Sequence, residues 1–173
     1  MIRQLSILIL IAATAFTGCR NQKPVSTADV AQQSAPDSEI VSNRTPLKTR
    51  LGSAANTFTK DSVMLSFTVI NESDTVQRFC KWETPFEPGI GKYMDLTDAR
   101  GTEPPFIGAM ARRVMPPPPE SYITIPPHDS IRTVFNLADN YSIEPGQYTV
   151  KYSGGGISGL DAGNEIDISV TDQ

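Results

Sequence analysis

Four short segments of the chain alternate apolar and polar residues with a period of two, a pattern that allows each of them to bury one face only. In SVMLSFTVI, Val63, Leu65, Phe67 and Val69 share one side, with Ser66 and Thr68 on the other. IRTVFNL sets Ile131, Thr133, Phe135 and Leu137 against Arg132, Val134 and Asn136. QYTVKY sets Tyr148, Val150 and Tyr152 against Thr149 and Lys151, and EIDISV sets Ile166, Ile168 and Val170 against Asp167 and Ser169. Side chains alternate across a β-strand, so these segments are half-buried strands of antiparallel sheets. Clusters such as EPGIG, MPPPPE, IPPHDS, EPGQ and SGGGISG punctuate them as turns and loops. After residue 19 no stretch sustains a helical period. The expectation is an all-β, Ig-like antiparallel sandwich of about seven to nine strands over residues 49–173. A closed barrel suits the 14 prolines and uneven loops less well.

The opening residues, MIRQLSILILIAATAFTGCR, have a basic start at Arg3, an apolar run from Leu5 to Phe16, and small residues before Cys19. The run is short for a permanent span, which needs about 20 residues, and the layout is that of an export signal. Ending on Thr-Gly-Cys, it resembles a bacterial lipoprotein signal. That resemblance implies a signal peptide at 1–18 and a diacylated, N-acylated Cys19, so that lipid attaches the chain to a membrane of the cell envelope. Arg20 rather than Asp at the second mature position points to the outer membrane, where the cell has one. A thioether-linked Cys19 leaves Cys80 without a disulfide partner. Residues 19–48 are rich in Gln, Ser, Thr, Ala and Pro and poor in apolar residues, the composition of a flexible tether.

Charge excludes other partners. The whole chain carries −4, and residues 19–173 carry −5, from 14 basic against 19 acidic side chains. Such mild acidity argues against nucleic acid.

Chemistry finds few candidates. His128 is the single histidine, and a zinc site needs several His, Cys or carboxylate ligands together. A soft copper(I) set drawn from Met110, Met115, Cys80 and His128 lacks any Met-x-Met or His-x-Met spacing, and the methionines read as gap-fillers. Asp161, Asn164, Glu165 and Asp167 lack the spacing of a calcium loop and read as solvated acids. Cys80 would need His128 as its base. A strand through TVQRFCKWE instead places Val76, Arg78, Cys80 and Trp82 on one face, where a free thiol beside tryptophan acts as a small buried hydrophobe. Cys80, Trp82 and Tyr148 are therefore expected in the structural core. No nucleophile elbow, H-E-x-x-H, phosphate loop or dinucleotide fingerprint is present. No enzyme, metal or cofactor is expected.

Four pieces taken in order, KWETPFE (81–87), FIGAMARR (106–113), YITIPPHDSIRTVFNLADNY (122–141) and IEPGQYTVKY (143–152), carry a family likeness. Together they resemble the N-terminal, prodomain-like β-sandwich of deuterolysin-type (aspzincin) metalloendopeptidases, including the peptidyl-Lys enzymes. The likeness runs from about Asp61 to Tyr152, and the zinc motif of that family is missing from the sequence. It implies a non-enzymatic module that binds an exported metalloprotease, inhibiting it or assisting its folding. The loop GAMARRVMPPPPESY is the expected contact, through Arg112, Arg113, Met115, Pro116 and Pro117, because a polyproline stretch docks at low entropic cost. The alternatives are a rigid crossover between sheets for this loop, and a structural or small-ligand-binding envelope lipoprotein for the whole.

Overall fold

The computed structural model describes residues 47–172; the expected signal peptide, Cys19 and most of the expected tether lie outside the described residues. Nine strands follow one another: β1 (Leu47–Ser53), β2 (Thr57–Thr59), β3 (Met64–Asn71), β4 (Gln77–Cys80), β5 (Met94–Asp98), β6 (Tyr122–Ile125), β7 (Ser130–Asn136), β8 (Gly146–Tyr152) and β9 (Glu165–Thr171). Two single 3-10 turns, Pro119–Ser121 and Leu137–Asp139, are the only helical elements among the described residues. No helix there is long and apolar enough to cross a membrane.

The strands form an all-β sandwich. One sheet has the order β1-β3-β7 and the other β2-β9-β8-β5, with β4 and β6 forming a separate pair. The alternating segments face inward as their pattern requires: Val63, Leu65, Phe67 and Val69 from the first sheet meet Val150, Tyr152, Ile168 and Val170 from the second. Aromatic rings fill the space between, with Phe67 and Tyr152 at 4.7 Å between centroids. Tyr148, 7% exposed, donates its hydroxyl to the Glu144 carbonyl at 2.8 Å, four residues upstream. This is the tyrosine corner of Ig-like sandwiches, which pins the entry to a strand by a local side chain.

Two features differ from the expectation. The first strand begins at Leu47, two residues ahead of the expected domain start at 49. And the sheets are not wholly antiparallel, because β2 pairs parallel to β9. The cause is a switch of sheets: β1 pairs antiparallel with β3, and the chain then passes through Ala54–Asn56 without reversing to meet β9.

Asparagine side chains repair the ladders where backbone pairing fails. Register runs from Ile70↔Ser130 in β3–β7 to Gln77↔Ile125 in β4–β6, so the second pair prolongs the first beyond a break. Fully buried Asn71 sits at that break. Its amide nitrogen donates to the carbonyls of Thr75 (2.8 Å), Ile125 (3.1 Å) and Pro126 (2.8 Å), and its side-chain oxygen accepts from Ser73 N–H (3.1 Å) and the Ser73 hydroxyl (2.7 Å). Asn164 serves Leu51 in the same way, accepting from its N–H at 2.9 Å and donating to its carbonyl at 3.0 Å. Asn136 accepts from Val63 N–H at 2.8 Å and donates to the Asp61 carbonyl at 3.1 Å.

Removing the Asn71 amide strands the buried Ile125 carbonyl, a loss that costs about 1–3 kcal/mol. Asn71→Ala is therefore expected to lower unfolding free energy by at least that amount in a urea titration. Asn71→Asp, which keeps the shape and loses the donors, is expected to be no better.

Candidate interaction site

The β4–β6 pair and the segments that follow it carry the residues singled out in the sequence. In β4, Phe79 points into the main core while Cys80 is buried on the opposite side, outside that core. The strand then stops. The Thr84 hydroxyl donates to the Lys81 carbonyl at 2.6 Å and accepts from Phe86 N–H at 3.2 Å, turning the chain, and Glu83 takes a positive φ of 57°. Trp82 thus lies in the turn instead of continuing a strand face with Val76 and Arg78, both of which are exposed. It is nevertheless buried, at 6% exposure.

Arg113 covers this region. Its guanidinium lies over the Trp82 ring, 4.7 Å from the centroid, and both terminal nitrogens donate to the Glu87 carboxylate, one of them to Oε1 at 3.3 Å. A guanidinium held flat on an indole and forked onto a carboxylate suits arginine's planar donor set. Arg112, its neighbour, is exposed. The two adjacent arginines diverge, as an extended segment demands, and the inward one closes over the tryptophan.

The loop that delivers Arg113 is fixed at several points. Phe106 packs edge-on against Tyr141 at 5.5 Å. Ile107 N–H donates to the Asn140 carbonyl at 2.8 Å, Ala109 N–H to that of Gly89 at 2.9 Å, and Gly91 N–H to that of Ala109 at 2.7 Å. Gly108 is needed for this close approach, since a Cβ there would lie 2.7 Å from the Phe106 ring and 3.1 Å from the Asn140 amide. Downstream, the Met115–Pro116 bond is cis, and Lys81 N–H donates to the Ser121 carbonyl at 2.8 Å.

What this loop displays is apolar. Of the seven large hydrophobic side chains exposed among the described residues, four lie between Ile107 and Met115: Ile107 (59%), Met110 (76%), Val114 (82%) and Met115 (61%). Single exposed hydrophobics are ordinary, but four in nine residues of a braced loop concentrate exposed apolar surface in one place. Pro116 is exposed and Pro117 half-buried beside them.

No protein-family model matches the sequence, and no curated protein does. Among solved structures, a β-glucosidase from Listeria innocua is similar at TM-score 0.39 and 14% identity, over 72% of this chain and 16% of that one. The chain thus spans a small fraction of the length of that enzyme.

The remaining candidates are scattered. His128 takes a positive φ of 55° in the turn before β7, and its Nε2 lies 2.8 Å from a carboxylate oxygen of Asp74. Among the described residues no three of His, Cys, Asp and Glu converge as metal ligands. The residues weighed for a copper(I) set differ in character as well, with Cys80 buried and Met110 and Met115 exposed. Of the oxygen-bearing residues weighed for calcium, Asn164 holds Leu51 and Asp167 accepts from the Thr149 hydroxyl at 2.7 Å. Glu87 and Ile107 were not expected at the site, and Met110 and Val114 lay in the expected loop without being named as contacts. Sequence reasoning had a signal for the last three, their apolar character in a Pro-flanked loop, but none for Glu87, which lies 26 residues from the arginine it binds.

Burial raises the Cys80 thiol pKa above its ordinary value, with the Trp82 backbone N–H opposing in part. A buried, protonated thiol is a poor nucleophile. Thiol reagents are expected to label Cys80 in the native protein only at the rate of unfolding, and mixing kinetics with and without denaturant will measure this. The two arginines should separate cleanly in thermal and chemical melts. Arg113→Ala is expected to cost about 1.5–3 kcal/mol, the worth of hydrogen bonds to a charged group, and Arg112→Ala no more than about 0.5 kcal/mol.

Proposed function

We propose that this chain is a non-enzymatic envelope module, anchored through lipid on Cys19, whose Ile107–Met115 loop binds an exported metalloprotease and holds it latent or assists its folding. The observation that carries the binding reading is the run of exposed Ile107, Met110, Val114 and Met115 on a loop braced by Arg113. Apolar side chains held in a fixed arrangement lose little freedom on docking, so more of their burial energy appears as affinity. Methionines among them adapt to an irregular partner surface. The proline run that follows resists proteolytic cleavage, which favours a partner that is itself a protease.

The class of partner comes from the resemblance of the ordered segments 81–87, 106–113, 122–141 and 143–152 to protease leader domains. Two of those segments, KWETPFE and FIGAMARR, contribute Trp82, Glu87 and Arg113, so the likeness falls on the residues that brace the loop. The lipid anchor comes from the likeness of residues 1–19 to a lipoprotein signal. It would hold the module at a membrane where exported enzymes pass.

Affinity capture from envelope extract tests the reading, with the wild-type chain compared against Met110→Asp/Val114→Asp. Recovery of a metallopeptidase by the wild type and its loss with the double variant, at unchanged melting temperature, is the expected result. Reproducible recovery of a different partner, with no peptidase, would sink the protease assignment. Equal recovery by both proteins would remove the loop from the interface.

A further inference from the structure

The outer face of the β1-β3-β7 sheet carries a second feature, independent of the loop. Register aligns Arg50, Thr68 and Arg132 in one row across the three strands, and Gly52, Ser66 and Val134 in the next. Side chains in one row of neighbouring strands share a face, and two strand spacings put the arginine backbones about 10 Å apart. Between them lies a concave site of about 240 Å³ lined by Arg50, Gly52, Ser53, Ser66, Thr68 and Arg132. The lining includes two cations, three hydroxyls and no acid.

Several other surface cations are engaged. Lys48, one row away, pairs with Glu72, Lys92 with Glu103 at 2.7 Å, and Arg100 with Asp98 at 3.0 Å. Arg78 lies over the Tyr122 ring at 4.9 Å, and Arg113 is held by Glu87. Among the described residues Arg50 and Arg132 form neither an ion pair nor a ring contact, although like charges facing one site repel. Gly52 keeps the site open, because a side chain there would begin 3.0 Å from the Ser66 hydroxyl and fill the notch beside Arg50. Ser66, buried at the floor, donates to the Gly52 carbonyl at 3.2 Å and so fixes the depth of that notch.

We propose that the Arg50–Thr68–Arg132 row binds a doubly charged tetrahedral oxyanion of the phosphate or phosphomonoester class. Two guanidinium groups supply charge that matches a dianion, and they approach from opposite sides while the Thr68 hydroxyl supplies a donor from below. Donors on three sides suit an anion with oxygens on all sides better than a planar carboxylate, which presents two. The phosphate can belong to a free small molecule or to the headgroup of an anionic lipid.

The test uses the full chain carrying Cys19→Ala, so that no acyl chain contributes to vesicle binding. Inorganic phosphate is titrated by calorimetry in chloride buffer, and vesicles of phosphatidic acid are compared with vesicles of phosphatidylcholine. The expected result is saturable binding of one phosphate group per chain, weakened roughly tenfold or more by Arg50→Gln and by Arg132→Gln, since each removes hydrogen bonds to a charged group. Lys48→Gln, which removes the same charge one row away, should leave binding unchanged, and Thr68→Val should weaken it without changing charge. Comparable affinity for free phosphate and for vesicle phosphate would identify a small soluble ligand, and binding to phosphatidic acid vesicles alone would identify a lipid headgroup. Three results would overturn the proposal: no saturable binding of either probe, equal loss with Lys48→Gln, or acetate bound as tightly as phosphate. Arg50 and Arg132 are exposed, so their variants should melt as the wild type does, and a melt on each sample verifies this.

Discussion

The amide of Asn71 holds together two parts of the fold that backbone pairing leaves separate. Strands β3 and β7 end their ladder at Ile70 and Ser130, and β4 and β6 resume it at Gln77 and Ile125. Between these points the intervening chains differ in length and cannot pair residue for residue. Carbonyls left without a ladder partner in such a gap need donors, and Asn71 supplies them to Thr75, the buried Ile125 and Pro126. With this one side chain satisfied, the short β4–β6 pair keeps the direction of the longer sheet. The position of Cys80, the turn at Trp82 and the platform for Arg113 all follow from that alignment.

The same chemistry recurs at Asn136 and Asn164. An asparagine side chain carries the donor and acceptor of a peptide group, so it can complete a ladder where no strand is available. At Asn164 the substitution is complete, with both bonds going to the single residue Leu51. From fully buried Asn71 to exposed Asn164, these amides satisfy polar backbone while adding no charge. Arg113 solves a different problem. It covers an indole that would otherwise be open to solvent, and its charge is matched by Glu87. The loop that carries it is thereby fixed in its middle while leaving Met110 and Val114 outward.

Much of the core was legible in the sequence because β3, β7, β8 and β9 alternate without interruption, and in all four the apolar set faces inward. Strand β1 was not, since LKTRLGS offers only Leu47 and Leu51 as apolar residues, with Thr49 taking the inward position between them. Strand β5 was hidden because Tyr93 and Met94 are consecutive and both buried, which breaks the period at its start. The Pro-flanked loop was visible as a contact candidate, but not the division of labour within it. Which of Arg112 and Arg113 turns inward depends on Glu87 and Trp82, placed there by a turn that Thr84 dictates. Nor could the facing of Arg50 and Arg132 be seen, because it depends on the register of three strands, one of which the sequence conceals.

The change of sheet between β1 and β2 has a mechanical consequence. Tension applied to the chain ahead of Leu47, along the strand axis, reaches seven β1–β3 register pairs first and then three β2–β9 pairs in the opposite layer. Ladder hydrogen bonds lie across the strands, so such a force shears them together instead of opening them one at a time. A pull on its leading end therefore meets all seven β1–β3 pairs at once.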